Sequence, residues 1–318
     1  MKEFTIQSNE ANQRFDKYLK KLLPNAGSGF LYKMLRKKNI TLNGKKAEGT
    51  ENLKQGDVVK LFFSDETWEK FSLDPVQLQK EWEALASLPM KGLKVIYEDT
   101  DILAADKPYN MLSQKAGEKE PSANERLLGY LIRSGQLTAE SYKTFHPSVV
   151  NRLDRNTTGI LLMGKTLAGS QQMSEALRDR SAHKFYRAIV GGGPLEDRHV
   201  KGYLKKDERN NRVSITEEAV EGADDIETAW RTIQRHGDYS LLEIELITGK
   251  THQIRAHLAS FGHPILGDPK YGDARRNQEL RRSFGLDHQL LHACRLELAD
   301  GRTILCHTPR IFDEILHS

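Results

Sequence analysis

The stretch that most constrains this chain runs from Val150 to Met163 and reads Val-Asn-Arg-Leu-Asp-Arg-Asn-Thr-Thr-Gly-Ile-Leu-Leu-Met. A polar loop carrying three charges feeds straight into an apolar run. The run after Gly159 is short and has no polar alternation, as expected of a buried strand. A rigid strand that anchors a loop with one carboxylate, Asp154, is a good mount for chemistry. Asp154 lies between Arg152 and Arg155, and nearby positive charge favours an ionised carboxylate. Taken alone, the pattern better fits a solvated ion pair in a surface turn, because most ion pairs are structural. Stretches later in the chain reverse that reading.

The chain has 318 residues, enough for two domains with real cores. With 38% hydrophobic and 29% charged residues, it has the balance of a soluble globular protein and not of a disordered one. No apolar run approaches the ~18 residues of a membrane span. The N-terminus, Met1-Lys2-Glu3-Phe4-Thr5, lacks the apolar core of a signal peptide, so a cytoplasmic protein is expected. Cys294 and Cys306 are the only cysteines. Two are too few for a disulfide framework or a four-cysteine zinc site. The net charge of +4 hides an asymmetry. Residues 1–63 hold 13 Lys+Arg against 6 Asp+Glu, a net +7, which leaves −3 for the remainder. A basic first domain on a slightly acidic remainder points to a polyanionic partner.

Residues 1–65 read as that first domain. Phe15, Leu19, Leu22 and Leu23 have helical spacing, and Pro24 to Gly27 ends it. Ser28 is placed to cap a second helix through Phe30, Leu31, Met34 and Leu35. Lys33, Arg36, Lys37 and Lys38 lie on its exposed side. Ile40-Thr41-Leu42 is a strand closed by an Asn43-Gly44 hairpin turn, with Lys45 and Lys46 beyond it. A turn and a second strand follow over 53–61. Together with Arg14-Phe15-Asp16, this order resembles the small RNA-binding domain named after ribosomal small-subunit protein four. The resemblance implies that Arg14, Lys33, Arg36, Lys37, Lys38, Lys45 and Lys46 bind RNA. Basic side chains at a helix end and turn grip phosphates without reading sequence. Residues 66–90 read as a linker helix, with Leu78, Trp82 and Leu85 on one face and Trp68 and Trp82 as packing anchors.

Residues 91–318 read as a second domain of α+β class, with a mixed, mainly antiparallel sheet. A strand, an acidic turn and a second strand are expected within 93–108, and further strands after Gly159 and over 183–190, 228–235 and 239–246, with a final hairpin over 290–306. Along His183 to Val190, if Phe185 points to the core, Lys184 and Tyr186 share the opposite face. Thr251 is placed to cap a helix in which Ile254 and Leu258 face inward and Arg255 stands near the start.

Two patterns mislead. Gly159 to Thr166 satisfies the phosphate-loop spacing G-x-x-x-x-G-K-T, but its middle positions, Ile-Leu-Leu-Met, demand burial rather than exposed amides. His252, His257 and His263 cluster in sequence. The first two, five apart, fall on different helix faces and do not match a zinc-binding helix. No metal is expected.

Three stretches in order carry a second resemblance. They are Arg152-Leu153-Asp154-Arg155-Asn156-Thr157-Thr158-Gly159-Ile160, then Lys184-Phe185-Tyr186, then Thr248-Gly249-Lys250-Thr251-His252-Gln253-Ile254-Arg255. With Gly262 to Asp268, Leu291-His292-Ala293 and Asp106-Lys107-Pro108, they resemble the RluA-type RNA pseudouridine synthases from about residue 91 onward. The resemblance implies isomerisation of uridine to pseudouridine in RNA, without metal or organic cofactor. Ribosomal RNA, most of all that of the large subunit, is the expected partner, with transfer RNA as the alternative. Neither an obligate protein partner nor more than a monomer is called for. The resemblance also implies Asp154 as the catalytic carboxylate, Tyr186 stacked on the target base, Arg255 paired with Asp154 through a two-pronged hydrogen bond, and Arg152 filling the RNA stack. Three roles stay open to Asp154: attack on the sugar, addition to the uracil ring, or removal of a ribose proton. The chain departs from the family pattern at Asn151, usually His, at Thr158, usually Ser, and at Lys250, usually Arg.

Overall fold

In the computed structural model, residues 1–317 are described apart from 116, 118, 119, 194, 208, 209 and 211. The chain begins with a strand that no sequence signal announced, β1 (Lys2–Thr5). Next come α1 (Phe15–Leu22), α2 (Ser28–Arg36), β2 (Ile40–Leu42), β3 (Lys45–Lys46) and β4 (Val58–Leu61). These strands form a four-stranded sheet in the order β1-β4-β2-β3. Gly27 rather than Ser28 caps α2. The Asn43-Gly44 turn has both residues at positive φ, 52° and 72°, the backbone a two-residue hairpin demands. Phe15, Leu19, Leu35, Ile40, Leu53 and Leu61 are buried in a core of their own.

The expected linker helix is two helices, α3 (Asp65–Phe71) and α4 (Pro75–Ser87). Ser64 and Asp74 cap them with side-chain oxygens, which is why the chain restarts at each. Trp68 on α3 stacks on Phe4, whereas Trp82 on α4 packs edge-on against Tyr142.

The larger sheet is built from β5 (Lys94–Glu98), β6 (Ile102–Lys107), β7 (Ser148–Val149), β8 (Thr158–Gly164), β9 (His183–Val190), β10 (Arg198–Asp207), β11 (Arg212–Thr216), β12 (Asp224–His236), β13 (Tyr239–Leu246), β14 (Leu291–Glu297) and β15 (Thr303–Leu305). Between and after them lie α5 (Ala123–Arg133), α6 (Ala139–Tyr142), α7 (Leu167–Arg178), α8 (Gln253–Ser260), α9 (Ala274–Phe284) and α10 (Ile311–Leu316). The main order is β11-β10-β12-β13-β9-β14-β8-β6-β5, with β15 on β14 and β7 on β8. Among the described residues only β14 and β8 pair in parallel. This is the α+β class with a mixed, mainly antiparallel sheet. Strands β7, β10 and β11 and helices α9 and α10 follow no pattern read from the sequence.

Strand β8 lies inside the sheet with apolar layers on both faces. Ile160 and Leu162 join the core beneath α7 and α8, while Leu161 and Met163 join the core beneath α4 and α5. Burial on both faces explains a run with no polar alternation. Gly159 starts it at φ 102°, where an added Cβ would lie 2.2 Å from the Ala293 carbonyl oxygen. The apparent phosphate loop is therefore this strand, and Lys165 at its end donates to Glu98 and to the Asp99 carbonyl.

Candidate active site

Loop 150–157 enters β8 at the floor of a cleft of about 1220 Å³. Several buried anchors fix the loop. Ser113 Oγ donates to the Leu153 carbonyl and accepts from the Leu153 amide. Asn151 spans the strand start, donating to the Ile160 carbonyl and accepting from the Leu162 amide. Thr158 Oγ1 is hydrogen-bonded to His292 Nδ1 at 2.8 Å. Two of the three departures from the family pattern thus have structural work in this chain. Below the loop, Lys107 is fully buried, and its Nζ donates to the carbonyls of Pro108, Met111 and Arg155 at 2.8–3.0 Å. Burial pushes its ammonium down to about 7, with Asp154 acting the other way. Only the ammonium form can donate to all three carbonyls at once.

Asp154 is partly exposed, at 26% for its side chain. The flanking arginines do not hold it, contrary to the simple reading of the loop. Arg155 pairs with Glu120. Arg152 is exposed on the cleft wall and has no ion-pair partner among the described residues. The partner of Asp154 comes from α8: Arg255 Nη1 donates to Asp154 Oδ2 at 2.7 Å. Oδ1 has no hydrogen bond among the described residues.

The bond from Arg255 to Asp154 is single, not two-pronged. The guanidinium fork goes to Asp268, with Nε to Oδ2 at 2.7 Å and Nη2 to Oδ1 at 2.9 Å. Asp268 is fully buried and also accepts from the Lys270 and Tyr271 amides. Burial alone would raise its carboxyl, but Arg255 and the two amides hold it below the usual range. Arg255 is raised despite its burial, chiefly by Asp268 and then by Asp154. One buried carboxylate thus fixes the guanidinium, which presents its remaining nitrogen to the cleft.

Tyr186 on β9 is 6% exposed and lines the cleft beside Lys184. The strand does not meet the condition of Phe185 toward the core. Tyr186 lies on the core side opposite Ile244 and Ala293, while Phe185 lies on the other face, covered by Arg295 at 3.9 Å from its ring. Burial first, and then Asp154, push the Tyr186 phenol up. The structure brings Asp154, Tyr186, Arg255 and Arg152 to one cleft. Nine lysines and arginines line it against three aspartates, so its field favours a polyanion.

The other candidate residues lie elsewhere. Lys33, Arg36, Lys37, Lys38, Lys45 and Lys46 are exposed on the small sheet and its helices, with no ion-pair partner among the described residues. Arg14 is tied to Asp16 by two hydrogen bonds. The three histidines diverge: His257 bonds Thr228, His263 bonds the Gly191 carbonyl, and His252 faces Asp154. Sequence reasoning missed Asp268, Lys107 and Ser113 as site residues. The Gly267-Asp268 and Asp106-Lys107-Pro108 motifs were the available signals, and for Ser113 there was none.

Comparison with known proteins gives the family. The RNA pseudouridylate synthase family model matches residues 101–260, half of the chain. The ribosomal large subunit pseudouridine synthase C of Rickettsia felis is 31% identical over 82% of this chain and 82% of its own length. Its namesake in Vibrio cholerae is 28% identical over 96% of this chain and 91% of its own. A solved human structure, RNA pseudouridylate synthase domain containing 4, shares the fold with a TM-score of 0.56 at 23% identity, over 76% of this chain and 96% of that one. The chain belongs to the RNA pseudouridylate synthase family. Its activity is the synthesis of pseudouridine in RNA.

Proposed function

We propose that this enzyme isomerises uridine in large-subunit ribosomal RNA, with Asp154 as its reacting carboxylate. The observation that carries the reading is the single bond from Arg255 to Asp154 Oδ2 on the floor of a basic cleft. It orients the carboxylate and leaves Oδ1 without a partner among the described residues. An aspartate so held can act as nucleophile or base. A flipped uridine costs a few kcal/mol of unstacking. Stacking on Tyr186 returns about 1–3 kcal/mol, and Arg152 is free to occupy the place the base leaves. The named activity of the Rickettsia and Vibrio relatives supports the choice of large-subunit RNA.

In the same reading, residues 1–65 form an RNA-binding domain like that of ribosomal small-subunit protein four. Residues 66–90 link it to a catalytic domain over 91–318. The exposed cations from Lys33 to Lys46 support an electrostatic grip on RNA phosphates. Incubating the protein with transcripts of large-subunit RNA, small-subunit RNA and transfer RNA, then mapping pseudouridine, tests the assignment. Modification of the large-subunit transcript, absent with Asp154→Ala, is expected. Modification of transfer RNA alone would move the substrate, and an active Asp154→Ala would end the role given to Asp154.

A further inference from the structure

Beside Asp154 stands a second side chain that the reading above does not use. His252 precedes α8 with φ 54°, the left-handed region, which an L-residue adopts only where its surroundings impose it. The conformation is enforced from behind. The Gln253 carboxamide accepts from Thr248 Oγ1 and the Lys250 amide, and donates to the Glu227 carbonyl and Thr228 Oγ1. With that turn pinned, the His252 ring lines the cleft, and its Nε2 lies 4.0 Å from Asp154 Oδ2.

The other ring nitrogen meets a hydroxyl that can donate to it. His252 Nδ1 is 3.1 Å from the Tyr271 hydroxyl. That hydroxyl already accepts the Val213 amide at 2.9 Å, and a backbone N–H can only donate. Among the described residues the Tyr271 proton has no acceptor other than His252 Nδ1. Donation of the Tyr271 proton to Nδ1 satisfies both groups, and in that tautomer the ring proton of the neutral imidazole sits on Nε2, on the side of Asp154. The charged groups around the ring are Asp154, Arg255, Asp268 and Lys270, with Arg212 over the far side of Tyr271. Burial outweighs the aspartates and keeps the imidazole below its ordinary value.

We propose that His252 is a positioning residue that donates Nε2–H to Asp154 Oδ2, beside Arg255, when RNA closes the cleft. The inference rests on the assignment of Asp154 as the reacting carboxylate. The gap to be closed is about 1 Å, and catalytic hydrogen bonds are commonly long before substrate binds. Two donors on Oδ2 fix the carboxylate plane and leave Oδ1 as the one oxygen with free lone pairs toward the base. Tyr271 and the edge strand β11 thereby act on Asp154 through His252.

The test has two readouts. In full-length protein with ¹⁵N-labelled histidine at pH 7.5, His252 should show a protonated Nε2 and an unprotonated Nδ1. A protonated Nδ1 overturns the proposal. In turnover on a large-subunit transcript, His252→Phe should lower kcat about tenfold to a hundredfold, the usual cost of a misplaced reacting group, with KM and RNA affinity unchanged. His252→Gln, which keeps a donor near Nε2, should recover most of the loss. Unchanged kcat in His252→Phe, or equal losses in both variants, contradicts a donor role. Because the tautomer is read without turnover, it separates a wrong assignment of His252 from a wrong assignment of Asp154, which the activity of Asp154→Asn decides.

Discussion

Around Asp154 the nearest charges are fixed in place: Arg255 is forked onto Asp268, Lys107 is tied to three carbonyls, and Arg155 pairs with Glu120. On the small sheet and its helices, six cations stand exposed with no ion-pair partner among the described residues. The first arrangement spends burial and geometry on directing one carboxylate oxygen. The second keeps its charges hydrated and mobile, which suits a phosphate backbone of varying shape. The two regions should therefore fail differently when changed, in stability and chemistry for one and in affinity and salt dependence for the other.

The sharpest break should come at Asp268. Asp268→Ala leaves the Arg255 guanidinium buried without its fork, which typically costs about 3–5 kcal/mol. Urea denaturation should register the loss, and activity should fall with it. A loss below about 1 kcal/mol would mean that Asp268 does not hold Arg255 in place. Next is Gly159→Ala, where φ 102° and the Ala293 carbonyl both oppose a Cβ. About 2–4 kcal/mol is expected in the same assay.

Acid should act on the larger unit through His257. This ring is 1% exposed, and burial pushes it down to about 4. Below pH 6.5 the unfolded chain takes up a proton that the folded ring refuses, so stability should fall as pH drops from 6.5 to 4 and be unaffected above. The contribution is at most about 3 kcal/mol. His257→Asn should flatten that part of the stability profile, and a profile parallel to wild type would count against the assignment. The smallest change in stability, within about 0.5 kcal/mol, belongs to the fourfold replacement of Lys33, Arg36, Lys37 and Lys38 by Gln. Its effect should appear in RNA binding, where the slope of log affinity against log salt should drop by up to about 3 at unchanged kcat. An unchanged slope would remove the small sheet from the interface.

How much of this was legible depended on whether the information was local. β8 could be read because a strand buried on both faces has an unmistakable apolar run, and the Asn43-Gly44 turn because only certain residues tolerate its φ values. α9 could not, since it buries little besides Leu280 amid arginines and reads as a charged loop. Which face of β9 is inside stayed open because Phe185 and Tyr186 are both aromatic, and period two shows that they differ without saying which is inside. Asp154, Tyr186 and Arg255 could be named from motifs, but not how Arg255 divides its nitrogens. Asp154 and Arg255 are 101 residues apart, and no local pattern reveals that a third residue, Asp268, takes the fork. His252 was set aside as a poor metal ligand, because its left-handed backbone and its bond to Tyr271 exist only in the folded chain.

The central claim is that chemistry rests on Asp154 while affinity rests elsewhere. The most direct measurement is of single-turnover pseudouridine formation and RNA affinity side by side in Asp154→Asn, an isosteric change that keeps the partner atom for Arg255. With Asp154 as the reacting carboxylate, no detectable pseudouridine is expected, with a Kd for the large-subunit transcript within about twofold of wild type. Pseudouridine formed at the wild-type rate by Asp154→Asn would contradict it.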